Sequence, residues 1–429
     1  MSLFELPSLA PSHPPAFQRP KSLLTYSNDA NHKQEFTNSA LNYFIKPPSF
    51  ADLNYGYDKW IKRPETRTRL DALLNCLNRD EAKGASKVPS VVTWRGVITK
   101  LLVAPYEDRD SWAINAMLVD GMIYLEEHAT ESDLLSKEDM GPQQRLFMYY
   151  GYSFESWCTT PNADQQPEKL PDHPRGWSGD VNTNIQWCQV VKSKLGRNRM
   201  ILGGEVDCVR GEYDGTTSNF VELKTSQTIQ TKWDKAKFEK KLLKYWAQSY
   251  LLGVPEIFVG FRSKDGIIQS TQSLRTLEIP RTVRSKSPNS WDAGVSLNFA
   301  ETFLHYLRQT LEQSSRPPGT VWRLTFTPKG GISVKVVEDS GNLNTGERYG
   351  QVPENAHDVL DSKDQRSFGN TLSATEQNKK EQKRDEQERA EIRPTGVAKL
   401  HGNKPSRGAE IDEELENEEH HELKREGKI

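Results

Sequence analysis

Residues 199–210 read RMILGGEVDCVR and residues 220–226 read FVELKTS, with the turn-forming cluster GEYDGTTSN (211–219) between them. Both segments have the β-branched and apolar composition of strands, and Gly, Asp and Asn punctuate the link. Side chains two apart on a strand share a face, so Glu205 pairs with Asp207 and Glu222 with Lys224. If the two strands pair as a hairpin, the four groups converge. Val206, Val209, Val221 and Leu223 flank them, which predicts strands embedded in a core with one polar spot. An isolated ExD or ExK on a hairpin is usually a solvated cross-strand pair. Both together, between apolar flanks, call for a chemical reason.

Electrostatics supplies one. Carboxylates about 4 Å apart repel by roughly 4 kcal/mol per pair at an effective dielectric of about 20. They stay protonated or splay apart unless a cation lies between them. Oxygen donors without imidazole or thiolate suit hard Mg²⁺ or Mn²⁺, ions that keep waters and accept phosphate oxygens. Lys224 would then hold a metal-activated water or stabilise charge at phosphorus.

Outward from this centre the pattern mixes helices and strands. PETRTRLDALLNCLNR places Leu70, Leu73, Leu74 and Leu77 at helical spacing, and SVVTWRGVITKLLVAPY then turns β-rich, which predicts Arg95 on a strand beside Thr93. Trp112 to Leu125 predicts a strand pair. Pro142 opens a helix carrying Met148, Gly151 and Glu155, with Glu155 one turn after a glycine that leaves room beside it. A loop of about 30 residues follows, then a strand over 184–191. A long helix over 232–252, with Phe238, Leu242, Tyr245, Trp246 and Ser249 on one side, ends at Gly253 and Pro255. Gln248 falls on its polar edge. The strand EIFVGFR, a helix over 297–312 and a hairpin through Pro328-Lys329-Gly330-Gly331 complete the pattern.

The 429 residues include 10 Trp, 14 Tyr and 15 Phe, ample for a core. Residues 1–50, rich in Pro, Ser and Asn, predict loops and short strands. A catalytic domain over 1–345 and a charged, disordered tail over 346–429 are expected, because apolar periodicity stops there. From Asn355 onward lie 14 of the 57 basic and 18 of the 59 acidic residues, so the remainder carries about +2. Any nucleic-acid contact must therefore come from a local groove. Cys76, Cys158, Cys188 and Cys208 form no CxxC pair and no zinc-type spacing, which fits a reducing compartment. No apolar run approaches the roughly 20 residues that span a bilayer, so no membrane partner is expected.

The runs TWRG (93–96), TKLLVAPYE, MYYGYSFE, VNTNIQWC, GEVDC, VELKTS, KYWAQSYLLGVP and VGFR, in this order, resemble the decapping and exoribonuclease family. Its fungal nuclear members accompany the nuclear 5′-to-3′ exoribonuclease. The resemblance covers about residues 90–265, with weaker similarity to about 338. It implies an α+β fold of two twisted mixed β-sheets flanked by helices, related to the (D/E)xK nuclease superfamily. It further implies a divalent metal, Mg²⁺ or Mn²⁺, held by Glu155, Asp207, Glu222 and the Leu223 carbonyl, with Glu205 on a metal-bound water. Lys224 and Gln248 would position the nucleophile. Arg95 would grip the 5′ phosphates, with Trp94 and Gly96 beside it, and Met148 and Cys188 would line the pocket. The implied activities are removal of pyrophosphate from 5′-triphosphate RNA, of unmethylated or incompletely methylated caps, and of NAD caps. A nuclear location and a 5′-3′ exoribonuclease partner follow from the same resemblance; the alternative is a chain that mainly binds and stabilises that partner. The bare hairpin would also permit a DNA endonuclease, but TWRG and KYWAQSY match the RNA family. The KKEQKR run, Lys379 to Arg384, is at best a weak import signal.

Overall fold

Alternation with period two and period 3.6 gives, in the computed structural model, sixteen strands and seven α-helices among the described residues, which are 2–79, 82, 90–162, 172–287 and 290–337. The charge runs and KKEQKR lie outside them. The strands are β1 (Ser2–Phe4), β2 (Phe17–Asn28), β3 (Gln34–Glu35), β4 (Tyr43–Phe44), β5 (Val91–Trp94), β6 (Trp112–Val119), β7 (Met122–His128) and β8 (Thr159–Thr160). After them come β9 (Gln186–Leu195), β10 (Asn198–Glu205), β11 (Cys208–Val209), β12 (Phe220–Gln227), β13 (Glu256–Arg262), β14 (Ile268–Arg275), β15 (Trp322–Thr327) and β16 (Gly331–Val336). The helices are α1 (Asp71–Leu77), α2 (Arg95–Val103), α3 (Glu131–Glu138), α4 (Pro142–Cys158), α5 (Lys232–Leu252), α6 (Ile279–Lys286) and α7 (Ala293–Glu312).

Two mixed sheets result, as expected of an α+β chain. The larger runs β1-β16-β15-β6-β7-β5-β10-β9-β2-β3, the smaller β14-β13-β12-β11-β4-β8. One core packs α2, α5 and α7 on the sheets through residues such as Leu101, Trp246 and Phe303. A second joins Tyr149, Phe154 and Trp157 of α4 to Val221, Leu223 and Phe258. Because neighbours on a strand alternate, Phe220 faces the first core and Val221 the second. The smaller sheet is thus covered on both faces. Helix α5 begins in a capping box of Thr231 and Asp234 and stops where Gly253 turns left-handed at φ 76°.

Three expectations are corrected. Residues 199–210 are not one strand: β10 ends at Glu205 opposite Cys188 in the larger sheet, and after Val206 and Asp207 the chain resumes as β11 against Phe220 and Val221 in the smaller. The hairpin is therefore two residues deep, and Asp207 stands at the junction between sheets. Arg95 is not on a strand but opens α2, because Val97, Ile98, Leu101 and Leu102 supply a buried helical stripe. The β-branched Val97 and Ile98 disguised it, as did Thr99, whose hydroxyl bonds back to the Arg95 carbonyl at 3.0 Å. The N-terminal region is not only loops and short strands, since β2 spans 12 residues along β9. Two register shifts, one beside Pro20, break the alternation that would have revealed it.

Candidate active site

Glycines at 203 and 204 allow the first cationic group to approach. A Cβ on Gly203 would come within 2.6 Å of the Trp94 ring, and one on Gly204 within 2.8 Å of Leu252 and 3.2 Å of the Arg95 Cβ. Trp94 therefore lies on the strand, its indole N–H donating to the Arg69 carbonyl at 2.8 Å. Arg95 follows as the first residue of α2, and its Nη1 donates to Glu222 Oε2 at 3.1 Å. Lys224 Nζ donates to the other oxygen, Oε1, at 2.6 Å. Glu222 is 1 % exposed, so both cations serve a buried charge.

Asp207 is held differently. Beyond Val221 the two-residue β11 no longer borders β12, and Asp207 Oδ2 accepts the Leu223 backbone N–H at 2.7 Å where a strand carbonyl would otherwise sit. Lys224 Nζ lies 4.0 Å from the same oxygen. Glu205, at the end of β10, accepts from Gln186 Nε2 at 2.8 Å. Gln186 is itself fixed by Arg63 Nη1 at 3.1 Å, and Arg63 Nη1 also lies 2.9 Å from His32 Nε2. Sequence reading missed Gln186, Arg63 and His32. Gln186 shares a strand face with Cys188, two residues away, so alternation could have flagged it; the other two come from more than 100 residues earlier with no local signal.

Charge balance divides the carboxylates. Burial would raise Glu222, but Arg95 and Lys224 hold it down at about 2. Burial and then Glu222 push Asp207 up to about 6. Burial and then Asp207 push Glu205 up to about 7, and burial with Asp207 and Glu205 drives Glu155 well above its ordinary range. Lys224 would be lowered by burial, yet Glu222 and Asp207 keep it firmly charged. Four carboxylates thus share three cations, Arg63 and Arg95 and, between Glu222 and Asp207, Lys224. Its side chain retains 22 % of its surface, so the cluster opens to solvent.

Crowded oxygen donors that suppress each other's ionisation fit a divalent cation, which would relieve the repulsion. As the side chains stand, no three His, Cys, Asp or Glu among the described residues are set to enclose an ion. Glu222 is engaged by Arg95 and Lys224, and a metal would have to compete for it.

The remaining candidates distribute around this cluster. Gly151 has open space where a Cβ would be, one turn from Glu155, as expected. Met148 is half-buried on the same helix. Cys188 is buried opposite Glu205, and burial pushes its thiol up to about 12, so it lines the site without being a nucleophile. Gln248 is half-buried on α5, one turn past Tyr245, whose hydroxyl donates to the Thr225 carbonyl at 3.2 Å. Gly96 is exposed with open space at its Cα, in the first turn of α2. All four cysteines are free and buried. No helix among the described residues is long and apolar enough to cross a membrane.

A carboxylate and lysine pair on a strand of a mixed sheet, joined by carboxylates from a neighbouring strand junction and helix, defines a nuclease-type phosphoester hydrolase. Residues 18–360 match the family described as RAI1 like PD-(D/E)XK nuclease, and the chain belongs to that family. It is 37 % identical to the decapping nuclease RAI1 of Mycosarcoma maydis over 368 residues, covering 69 % of this chain and 72 % of that one. It is 35 % identical to the human decapping and exoribonuclease protein over 361 residues, covering 78 % and 88 %. The structure of Scheffersomyces stipitis Rai1 in complex with (3′-NADP)⁺ and calcium ion superposes with a TM-score of 0.69 at 25 % identity, covering 79 % of this chain and 93 % of that one. The chain is therefore a hydrolase of the decapping-nuclease class, and a divalent metal is the cofactor that its carboxylates and its family both require.

Proposed function

We propose that this chain hydrolyses the first phosphate linkages of RNA 5′ ends, releasing pyrophosphate from triphosphate ends, and intact caps from unmethylated, incompletely methylated or NAD-capped ends. The product is a 5′-monophosphate RNA. The observation that carries the reading is the junction where Asp207 binds the open edge of β12 beside Glu222 and Lys224, with Arg95 across from it. The Scheffersomyces relative's dinucleotide ligand supports a substrate with a phosphoanhydride at its end.

Glu155, Asp207, Glu222 and the Leu223 carbonyl would hold the metal. When bound, it supplies a water of lowered pKa and a Lewis acid at phosphorus. Glu205, fixed by Gln186, orients the attacking water, and Lys224 with Gln248 fixes the nucleophile's position. Arg95 grips phosphate oxygens, a role its planar guanidinium suits, and Gly96 exposes the peptide at the start of α2, where partial positive charge favours an anion. Trp94, Met148 and Cys188 shape the surrounding wall. We place this activity in the nucleus, feeding a 5′-3′ exoribonuclease that consumes monophosphate ends.

The test is incubation of the purified chain with triphosphate, unmethylated-cap, NAD-cap and monophosphate RNAs, with Mg²⁺ or EDTA. Metal-dependent release of pyrophosphate or intact cap is expected. Inert RNAs in every lane would overturn the reading and leave the exoribonuclease-stabilising role, which co-purification and a raised melting temperature of that partner would reveal.

A further inference from the structure

Helix α5 carries a second feature that runs away from Gln248, the residue the reaction uses. Trp233, Lys237, Lys241, Lys244 and Gln248 fall within roughly 80° of arc at 100° per residue, so they form one stripe about 22 Å long. Its lower end lies at the site, where the charge of Lys224 acts on Tyr245, three residues before Gln248. Its upper end is exposed. Trp233 is 65 % exposed, and Lys237 Nζ sits 3.2 Å over its ring.

The stripe is free of acid. Asp234 is committed to the Thr231 cap and buried Glu239 to Lys235, while Asp108 takes the neighbouring Lys240. Among the described residues Lys237 and Lys241 form no ion pair with a carboxylate, although the charge of Lys237 is felt by Asp234. Burial, then the like charges of Arg262 and Lys237, lower the Lys241 ammonium. Arg262 stands over the rings of Phe147, 41 % exposed, and Tyr150, at 4.8 and 4.6 Å, and its buried Nε has no hydrogen-bond partner. The exposed Lys237 and Lys241 beside the exposed rings of Trp233 and Phe147, with buried Arg262 beneath, form the pattern that single-stranded nucleic acid recognises: phosphates meet the lysines and any base can stack.

We infer that this stripe is the bed for the single-stranded RNA trailing from the reacting 5′ end, with Lys237 and Lys241 on its phosphates and a base stacked on Trp233. The inference rests on the proposed RNA 5′-end reading and extends it from the terminal linkage to the body of the strand. A chain that works from the end of a long RNA gains affinity and register from nucleotides it does not cut.

The test measures binding of fluorescent 5′-monophosphate oligoribonucleotides in EDTA, comparing a dinucleotide with a strand of roughly fifteen nucleotides. Trp233→Ala should weaken the longer strand roughly tenfold, and Trp233→Phe should restore most of the loss. Lys237→Ala with Lys241→Ala should flatten the logarithmic salt dependence by about 1.4, two phosphates at about 0.7 each. Losses on the dinucleotide should stay below about twofold. Equal losses on both lengths, or unaltered affinity for the longer strand in folded variants, would overturn the inference. If the unaltered protein cleaves no RNA end yet binds the longer strand through Trp233 and these lysines, the functional reading fails and the stripe stands.

Discussion

Glu205 and Asp207 are two positions apart, yet one closes a strand of the larger sheet and the other bridges to the smaller. Their shared crowding with Glu155 sets the first prediction. Glu205→Ala with Asp207→Ala should abolish hydrolysis while leaving the protein folded in EDTA, because the relief of two repelling carboxyls offsets the lost acceptor for the Leu223 N–H. Unchanged hydrolysis in that variant, measured by product release, would remove both residues from the assignment. A separate carboxyl, Glu126, lies buried away from the metal site and accepts the Leu70 backbone N–H at 3.1 Å. Burial pushes it up to about 7 from 4.5, only partly opposed by Arg69. Its folded form favours the proton, so its contribution is full below about pH 4.5 and is lost as pH rises through about 7. Glu126→Gln keeps the acceptor without the charge, so it should stabilise the fold relative to the parent increasingly across that window, by up to about 3 kcal/mol. Denaturant midpoints at pH 5 and pH 8 check this; a pH-independent difference refutes it.

At the scale of elements, the position of Arg95 depends on how closely α2 can approach β10. Gly203→Ala puts a methyl within 2.6 Å of the Trp94 ring, in a buried strand where neither backbone can retreat cheaply. The expected cost is about 1–3 kcal/mol, typical of overpacking. Activity should fall by more than the folded fraction, because the first turn of α2 moves with Trp94. Measuring kcat/KM beside the denaturant midpoint separates the two effects, and a variant with parental values of both would show the contact to be soft. The strand and helix boundaries were read well where period and caps agree, as in α4, α5 and the β15–β16 hairpin. They were read badly where composition and role part company: α2 is a helix written in strand-like residues, and β2 a strand interrupted by Pro20.

For the whole molecule, two sheets diverge at Asp207, and carboxylates from α4, the junction and β12 meet there. If a divalent ion binds this meeting point only in the folded chain, it must stabilise the fold by mass action. Mg²⁺ at about 100 times its dissociation constant should add about 2.7 kcal/mol to unfolding, visible as a rise in melting temperature that EDTA reverses. The Glu205→Ala, Asp207→Ala variant should show little of that rise. A similar rise in both proteins would place the ion elsewhere.

The sequence by itself pointed to the chemistry: a set of carboxylates and one lysine at strand spacing, whose crowding calls for a hard divalent cation. Local periodicity and capping also determined most of the elements, because those signals act within a few residues. Tertiary structure decided how the groups meet. A hairpin of Glu205, Asp207, Glu222 and Lys224 on one face was the simplest reading, and the chain instead crosses between sheets at Val206–Asp207, so that Asp207 caps the Leu223 peptide. The same long-range packing brings Gln186 and Arg63 behind Glu205 and sets Arg95 at a helix start beside Glu222. The Arg63–Gln186 and Arg95–Glu222 contacts join residues more than 100 positions apart, and no periodicity along the chain encodes them.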